Sequence, residues 1–197
     1  MAGAGYARPR YKSGVAPLPA LVVVSGPPGA GKTTLAHRVA RAVGCPAICR
    51  DEIKEGMVHA TPAFRPADSG TLSVRALPVF FGVLEYLLRA GVTTVAEAAF
   101  QDRLWRPGLE PLRGLARLRI VHCAVDGEVA RMRTWRRSLD SPLRRAHSDP
   151  CAAERVSGPA APAVFDRVSV VAPWIEVDTT DGYRPGLPDI VAFINRS

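Results

Sequence analysis

Gly26, Gly31, Lys32 and Thr33 stand in the stretch SGPPGAGKTTLA at the spacing G-x-x-x-x-G-K-[ST]. Each residue type has a physical reason to be there. Glycines at 26, 29 and 31 let a backbone wrap an anion with its N–H groups turned inward. Pro27, Pro28 and Ala30 complete the nucleotide-binding loop, and a helix starting at its end adds unpaired N–H groups and a positive dipole end. Lys32 brings a compact point charge to the β- and γ-phosphates, and Thr33, followed by Thr34, offers a hydroxyl to Mg²⁺. The chain has 26 Lys and Arg residues, of which only residues 12, 32 and 54 are lysine, so a lysine at this position carries information. The loop is built to hold a nucleoside triphosphate.

Such a loop works only between a strand and a helix, and the flanks supply both. ALVVVS before it is a β-branched run of the kind buried on both sheet faces. Thr33 to Val43 after it places Leu35, Val39 and Val43 on one helical side and stops at Gly44. Further along, CPAICRD, VTTVAEAAF, LRIVHCAV and WIEVDTT read as four more strands. Between and after them, helices are expected over 51–58, 71–90 (interrupted near Pro78), 103–115, 127–137 and 188–195. Strands alternating with helices predict an α/β, three-layer P-loop NTPase fold with a five-stranded parallel sheet. The expected organisation is a flexible lead over 1–19 and one domain over 20–197, with an Arg-rich lid at about 138–150.

Composition narrows the class further. The net charge of +8 suits nucleotides, phosphorylated substrates or nucleic acid without choosing among them. Cys45, Cys49, Cys123 and Cys151 lack paired C-x-x-C spacing, which argues against a zinc site or a disulfide framework. The four histidines likewise show no metal spacing. The first nineteen residues lack an apolar core for secretion. No stretch reads as the roughly 20 apolar residues of a membrane helix. These features predict a cytoplasmic protein with no membrane partner. Asn195 is the only asparagine, so the N-K-x-D guanine-reading motif is excluded and ATP becomes the expected nucleotide.

SGPPGAGKTTLA, ICRDEIK and VAEAAFQDRLW together resemble the small P-loop kinases related to chloramphenicol phosphotransferase, the kinase domain of phage polynucleotide kinase, and shikimate and gluconate kinases. The resemblance covers about residues 20–195. It implies ATP-dependent transfer of the γ-phosphate to a hydroxyl of a small metabolite or antibiotic-like acceptor, with Mg²⁺. In such kinases an acidic residue just after the second strand faces the acceptor hydroxyl, and Asp51 holds that place; capping the following helix is its alternative role. Lys54, three residues on, is either a contact for an anionic substrate group or a surface lysine. Glu97 ends the third strand, where relatives present an acid, more often aspartate, to the metal shell; it serves metal or substrate.

Gln101 and Arg103, in the loop after that strand, are candidate substrate contacts, while Trp105 reads as packing. Arg133 and Arg137, an i, i+4 pair among six arginines between 131 and 145, match the lid arginines that stack on adenine and reach the phosphates. Thr180 falls where relatives form the base pocket. The acceptor pocket is expected to include Phe64, Arg65, Phe80 and Phe81. The alternatives are a polynucleotide 5′-hydroxyl kinase, a nucleotide-sugar kinase, and an ATP-binding switch module without phosphotransfer. Oligomeric state is open.

Overall fold

The structure, a computed structural model, describes residues 17–61, 64–65, 69–140 and 165–196, with the backbone alone for 138–140. Residues 1–16 of the expected lead, and the expected lid beyond residue 140 with Arg144 and Arg145, lie outside the described residues.

The elements follow in the order β1 (Ala20–Ser25), α1 (Lys32–Val43), β2 (Ala47–Cys49), α2 (Arg50–His59), α3 (Ser69–Arg89) and β3 (Thr94–Glu97). After these come α4 (Asp102–Leu109), a 3₁₀ turn (Glu110–Leu112), β4 (Arg117–Ala124), α5 (Gly127–Asp140), β5 (Trp174–Asp178) and α6 (Leu187–Asn195). The five strands form one sheet in the order β2-β3-β1-β4-β5, every pair parallel.

Both faces of the central strand are covered, which is why its sequence is continuously apolar instead of alternating. Leu21 and Val23 face Phe80, Leu84 and Leu88 of α3 and Trp105 and Leu109 of α4. Val22 and Val24 face Leu35 and Val39 of α1 and Ile190, Phe193 and Ile194 of α6. All four β1 residues are fully buried, each contributing roughly 1.5–3 kcal/mol of burial. The chain leaves β1 toward β2 on one side and later reaches β4 on the other. The end of β1 is therefore the point where connections diverge and a crevice opens.

Three expectations need correcting. Pro78 does not interrupt α3, which runs unbroken over 21 residues with Pro78 inside. Pro78 lies on the exposed face, where the carbonyl one turn earlier can be satisfied by water. The helix expected over 103–115 ends at Leu109 and tightens to 3₁₀ over Glu110–Leu112, where Pro111 has no N–H for the α-ladder. Finally, α3 is long and apolar enough to cross a membrane by length and composition, contrary to the sequence expectation. Its Leu72, Ala76, Phe80, Leu84 and Leu88, a strict i, i+4 stripe, are nevertheless buried in the core.

Candidate functional site

The loop after β1 is held so closely at Gly26 and Gly29 that no side chain fits at either. A Cβ on Gly26 (φ 151°) would lie 2.5 Å from the Cys123 carbonyl oxygen, and one on Gly29 (φ 82°) 2.4 Å from that of Ala130. The loop is thus pressed between the end of β4 and the start of α5. The Thr179 hydroxyl pins it from the side of β5 by donating to the Ala30 carbonyl at 3.0 Å.

At the end of the loop two side chains turn inward. Lys32 is 6% exposed, and its Nζ donates to the Pro27 carbonyl at 2.9 Å, which curls the ammonium over the loop. The Thr33 hydroxyl donates to Glu97 Oε2 at 3.0 Å. Glu97 sits at the C-terminal end of β3, in register with Val24 on one side and Cys49 on the other, and is 3% exposed. Burial pushes the Glu97 carboxyl above its usual range, while Lys32 and the Thr33 hydroxyl pull it back. Burial likewise lowers the Lys32 ammonium, and Glu97 is the largest opposing influence. The buried pair is mutually supporting. A hydroxyl and a carboxylate, both oxygen donors beside a phosphate-type loop, suit a hard cation such as Mg²⁺.

Asp51 occupies the first turn of α2, half exposed, near enough to act electrostatically on both Lys32 and Glu97. Its Oδ1 accepts from Arg50 Nη1 at 2.9 Å. Arg50 is itself anchored: Nη2 donates to the Ser73 carbonyl of α3 at 3.3 Å, and the guanidinium lies over the Phe100 ring. Arg50 is not among the candidates the motifs mark; its adjacency to Asp51 is the sequence signal for it.

A cavity of about 680 Å³ opens from the loop along α1 and α5, lined among others by Gly31, Thr33, Thr34, Arg133, Arg137 and Thr179. Arg133 Nη2 donates to the Thr179 and Thr180 carbonyls at 2.7 and 3.0 Å, and Arg137 Nε to the Arg133 carbonyl at 3.3 Å. Thr180 itself braces the far wall: its hydroxyl accepts from the Asp126 amide, and its amide donates to Asp178. His37, Arg38, Glu52 and Tyr183 also line this cavity, none of them expected there. For His37 the signal was its place one helical turn after Thr33.

A smaller cavity, about 290 Å³, lies beside Gly26 and Pro27 and is lined by His122, Phe165, Arg167 and Glu176. His122 Nδ1 is buried there without a hydrogen-bond partner among the described residues, and the ring meets Trp174 edge-on.

The remaining candidates lie outside both cavities. Gln101 Oε1 accepts the Asp166 amide at 2.6 Å, and Asp102 accepts the Ser169 amide and hydroxyl at 2.7 Å, so this turn holds the returning segment 165–169. Arg103 is exposed on α4. Lys54 is not a surface lysine: it is 2% exposed, and its Nζ donates to Ser69 Oγ at the start of α3 at 2.7 Å. Trp105 packs, as expected, with its indole N–H on Ser25 Oγ at 3.1 Å. Phe80, expected in an acceptor pocket, is fully buried in an aromatic cluster with Phe81, Phe100 and Trp105.

Comparison with known proteins bears on the same residues. The model of a family described as AAA domain (AAA_33) matches residues 21–155, from β1 through the loop, Asp51, Glu97 and α5. No curated protein matches the sequence. Among solved structures, a candidate kinase from Chloroflexus aurantiacus J-10-fl is similar at 23% identity and a TM-score of 0.76, over 90% of this chain and 97% of that one. A sugar kinase from Janibacter sp. HTCC2649 is similar at 19% identity and a TM-score of 0.54, over 89% and 91%. The APS kinase CysC of Mycobacterium tuberculosis, in complex with AMPPNP and APS, is similar at 13% identity and a TM-score of 0.55, over 91% and 99%. At these identities the likeness is one of fold, and the fold is that of P-loop kinases.

Proposed function

The chain belongs to the AAA domain family that matches residues 21–155, and from that premise we propose that it is an ATP-dependent kinase acting on a hydroxyl of a small molecule. The observation that carries this reading is the bond between the Thr33 hydroxyl and Glu97 beside the buried Lys32. Thr33 and Glu97 would hold Mg²⁺, which when bound neutralises charge on the phosphates.

The chain's own groups account for the rest. The backbone N–H groups of residues 29–33 and the Lys32 ammonium grip the β- and γ-phosphates. Asp51, steered by Arg50, takes the proton of the acceptor hydroxyl. As that oxygen bonds to the γ-phosphorus, the bond to the β–γ bridging oxygen breaks, and ADP leaves with the electron pair. Arg133 shapes the base end of the cavity through the carbonyls of Thr179 and Thr180, and Arg137 one turn later serves the phosphates. Small-molecule kinases such as chloramphenicol phosphotransferase remain the group that the motifs resemble most. The sugar kinase and the APS kinase that share the fold act on small acceptors by their names, which favours a small acceptor here.

Polynucleotide 5′-hydroxyl transfer is the second reading. It is favoured by the net charge of +8 and by a fold match, at a TM-score of 0.54, to the Pnkp1/Rnl/Hen1 RNA repair complex. That match spans 48% of the other chain. Incubation with ATP labelled on the γ-phosphate and a panel of sugars, hydroxylated antibiotics, nucleotide sugars and a 5′-hydroxyl oligonucleotide separates the two. Label on a small acceptor, dependent on Asp51, supports the proposal. Label on the oligonucleotide alone replaces it with the second reading, and nucleotide binding without transfer to any acceptor points to a switch module.

A further inference from the structure

Three side chains beside the loop bring together a donor set that the kinase reading does not use. His37 comes from α1, one turn after Thr33; Cys49 is the last residue of β2; Glu52 lies in the first turn of α2. His37 Nε2 and Glu52 Oε1 are 2.6 Å apart, Cys49 Sγ and His37 Nε2 are 3.8 Å apart, and all three ligand atoms lie within 4.8 Å of one another. We propose that His37, Cys49 and Glu52 form a binding site for a thiophilic divalent cation of the Zn²⁺ type, separate from the Thr33–Glu97 pair.

The chemistry of the set carries the choice of ion. Imidazole, thiolate and carboxylate together suit Zn²⁺, whereas the all-oxygen Thr33–Glu97 pair suits Mg²⁺. With zinc–ligand bonds of about 2.0–2.3 Å, tetrahedral ligand atoms stand about 3.3–3.8 Å apart. The sulfur–nitrogen pair already has that spacing. The histidine–glutamate pair reaches it by opening less than about 1 Å, and both side chains are half exposed, so their ends can move.

Three protein ligands leave the fourth position for water, as in open zinc sites, and His37 and Glu52 turn that position toward the larger cavity. Cys49 is 2% exposed, and its sulfur sits within reach of both the Glu52 and Glu97 carboxylates. A cation there takes the place of the thiol proton, which leaves to water, and offsets the gathered negative charge. The sequence hid this site because the ligands show no paired spacing; α1, β2 and α2 converge only in the fold.

The test uses the full-length, reduced protein without nucleotide and Co²⁺ alone as the probe. The site predicts visible d–d absorption and a near-ultraviolet sulfur-to-cobalt charge-transfer band, both bleached by Zn²⁺. Cys49→Ser should lose the charge-transfer band, and His37→Gln should weaken Zn²⁺ binding, measured by competition, at least about tenfold. No band in the wild type overturns the proposal. So does a band that survives in Cys49→Ser, because the metal then sits on another cysteine. If Cys49→Ser fails to fold, as judged by circular dichroism, His37→Gln and Glu52→Gln decide: unchanged Zn²⁺ affinity in both overturns the site. The kinase reading rests on Lys32, Thr33 and Asp51, and either proposal can fail alone.

Discussion

The Thr33 hydroxyl donates to the Glu97 carboxylate across 64 residues of sequence, tying the first turn of α1 to the end of β3 at 3.0 Å. This bond fixes a hydroxyl and a carboxylate side by side before any cation arrives. Glu97→Gln keeps the shape and removes the charge. It is expected to raise the Mg²⁺ concentration needed for half-maximal transfer at least about tenfold. A titration of rate against Mg²⁺ at saturating ATP reads this directly, and an unshifted midpoint would remove Glu97 from the metal's surroundings.

Asp51 is assigned to the proton, not to the nucleotide. Asp51→Asn should therefore slow transfer by roughly 10²–10⁴-fold while nucleotide affinity stays within about twofold. Rates with labelled ATP and affinity by fluorescent-analogue displacement, on the same preparation, test the split. A parallel loss of affinity would mean that Asp51 orders α2 and takes no proton.

Gly29 faces the Ala130 carbonyl where a Cβ would sit 2.4 Å away, and its φ of 82° is unfavourable to any side chain. Gly29→Ala should cost about 2 kcal/mol or more. For a chain of this size that lowers Tm by about 4–8 °C. Differential scanning calorimetry checks the value, and an unchanged Tm would show that the loop and α5 are not pressed together.

Much of this was legible locally, and what was not has a common cause. The strand–loop–helix unit announces itself because β1, buried on both faces, is apolar without a break, and the loop's glycines and lysine are contiguous with it. Thr33 and Glu97 were each legible as metal-side oxygen donors, while the direct bond between them emerges only in the fold. Lys54 left two roles open because only the packing of α2 on α3 buries it against Ser69. Gln101 reads as a substrate contact in the sequence, but segment 165–169, more than 60 residues on, returns to donate its Asp166 amide to the Gln101 side-chain carbonyl oxygen. Phe80 and Phe81 resembled a pocket wall by composition, and the same aromatic rings serve the core.

His122 links the smaller cavity to acid stability. Burial holds its imidazole below the ordinary value, Arg167 adds to the shift, and Glu176 partly opposes it. The unfolded chain therefore takes up the proton first as pH falls. The stability that His122 contributes is complete above about pH 6.5 and is lost as pH falls from there through the folded value. Wild-type Tm should decline between pH 7 and pH 5 more steeply than that of His122→Gln. Equal slopes would show that the ring titrates normally.

The most direct measurement is calorimetric titration of the purified protein with ATP, with and without Mg²⁺, alongside Lys32→Ala. The account predicts saturable, Mg²⁺-dependent binding in the wild type, weakened by at least about a hundredfold in Lys32→Ala. Heat that is absent with Mg²⁺ present, or equal in the two proteins, would contradict a triphosphate held by the loop from Gly26 to Thr33.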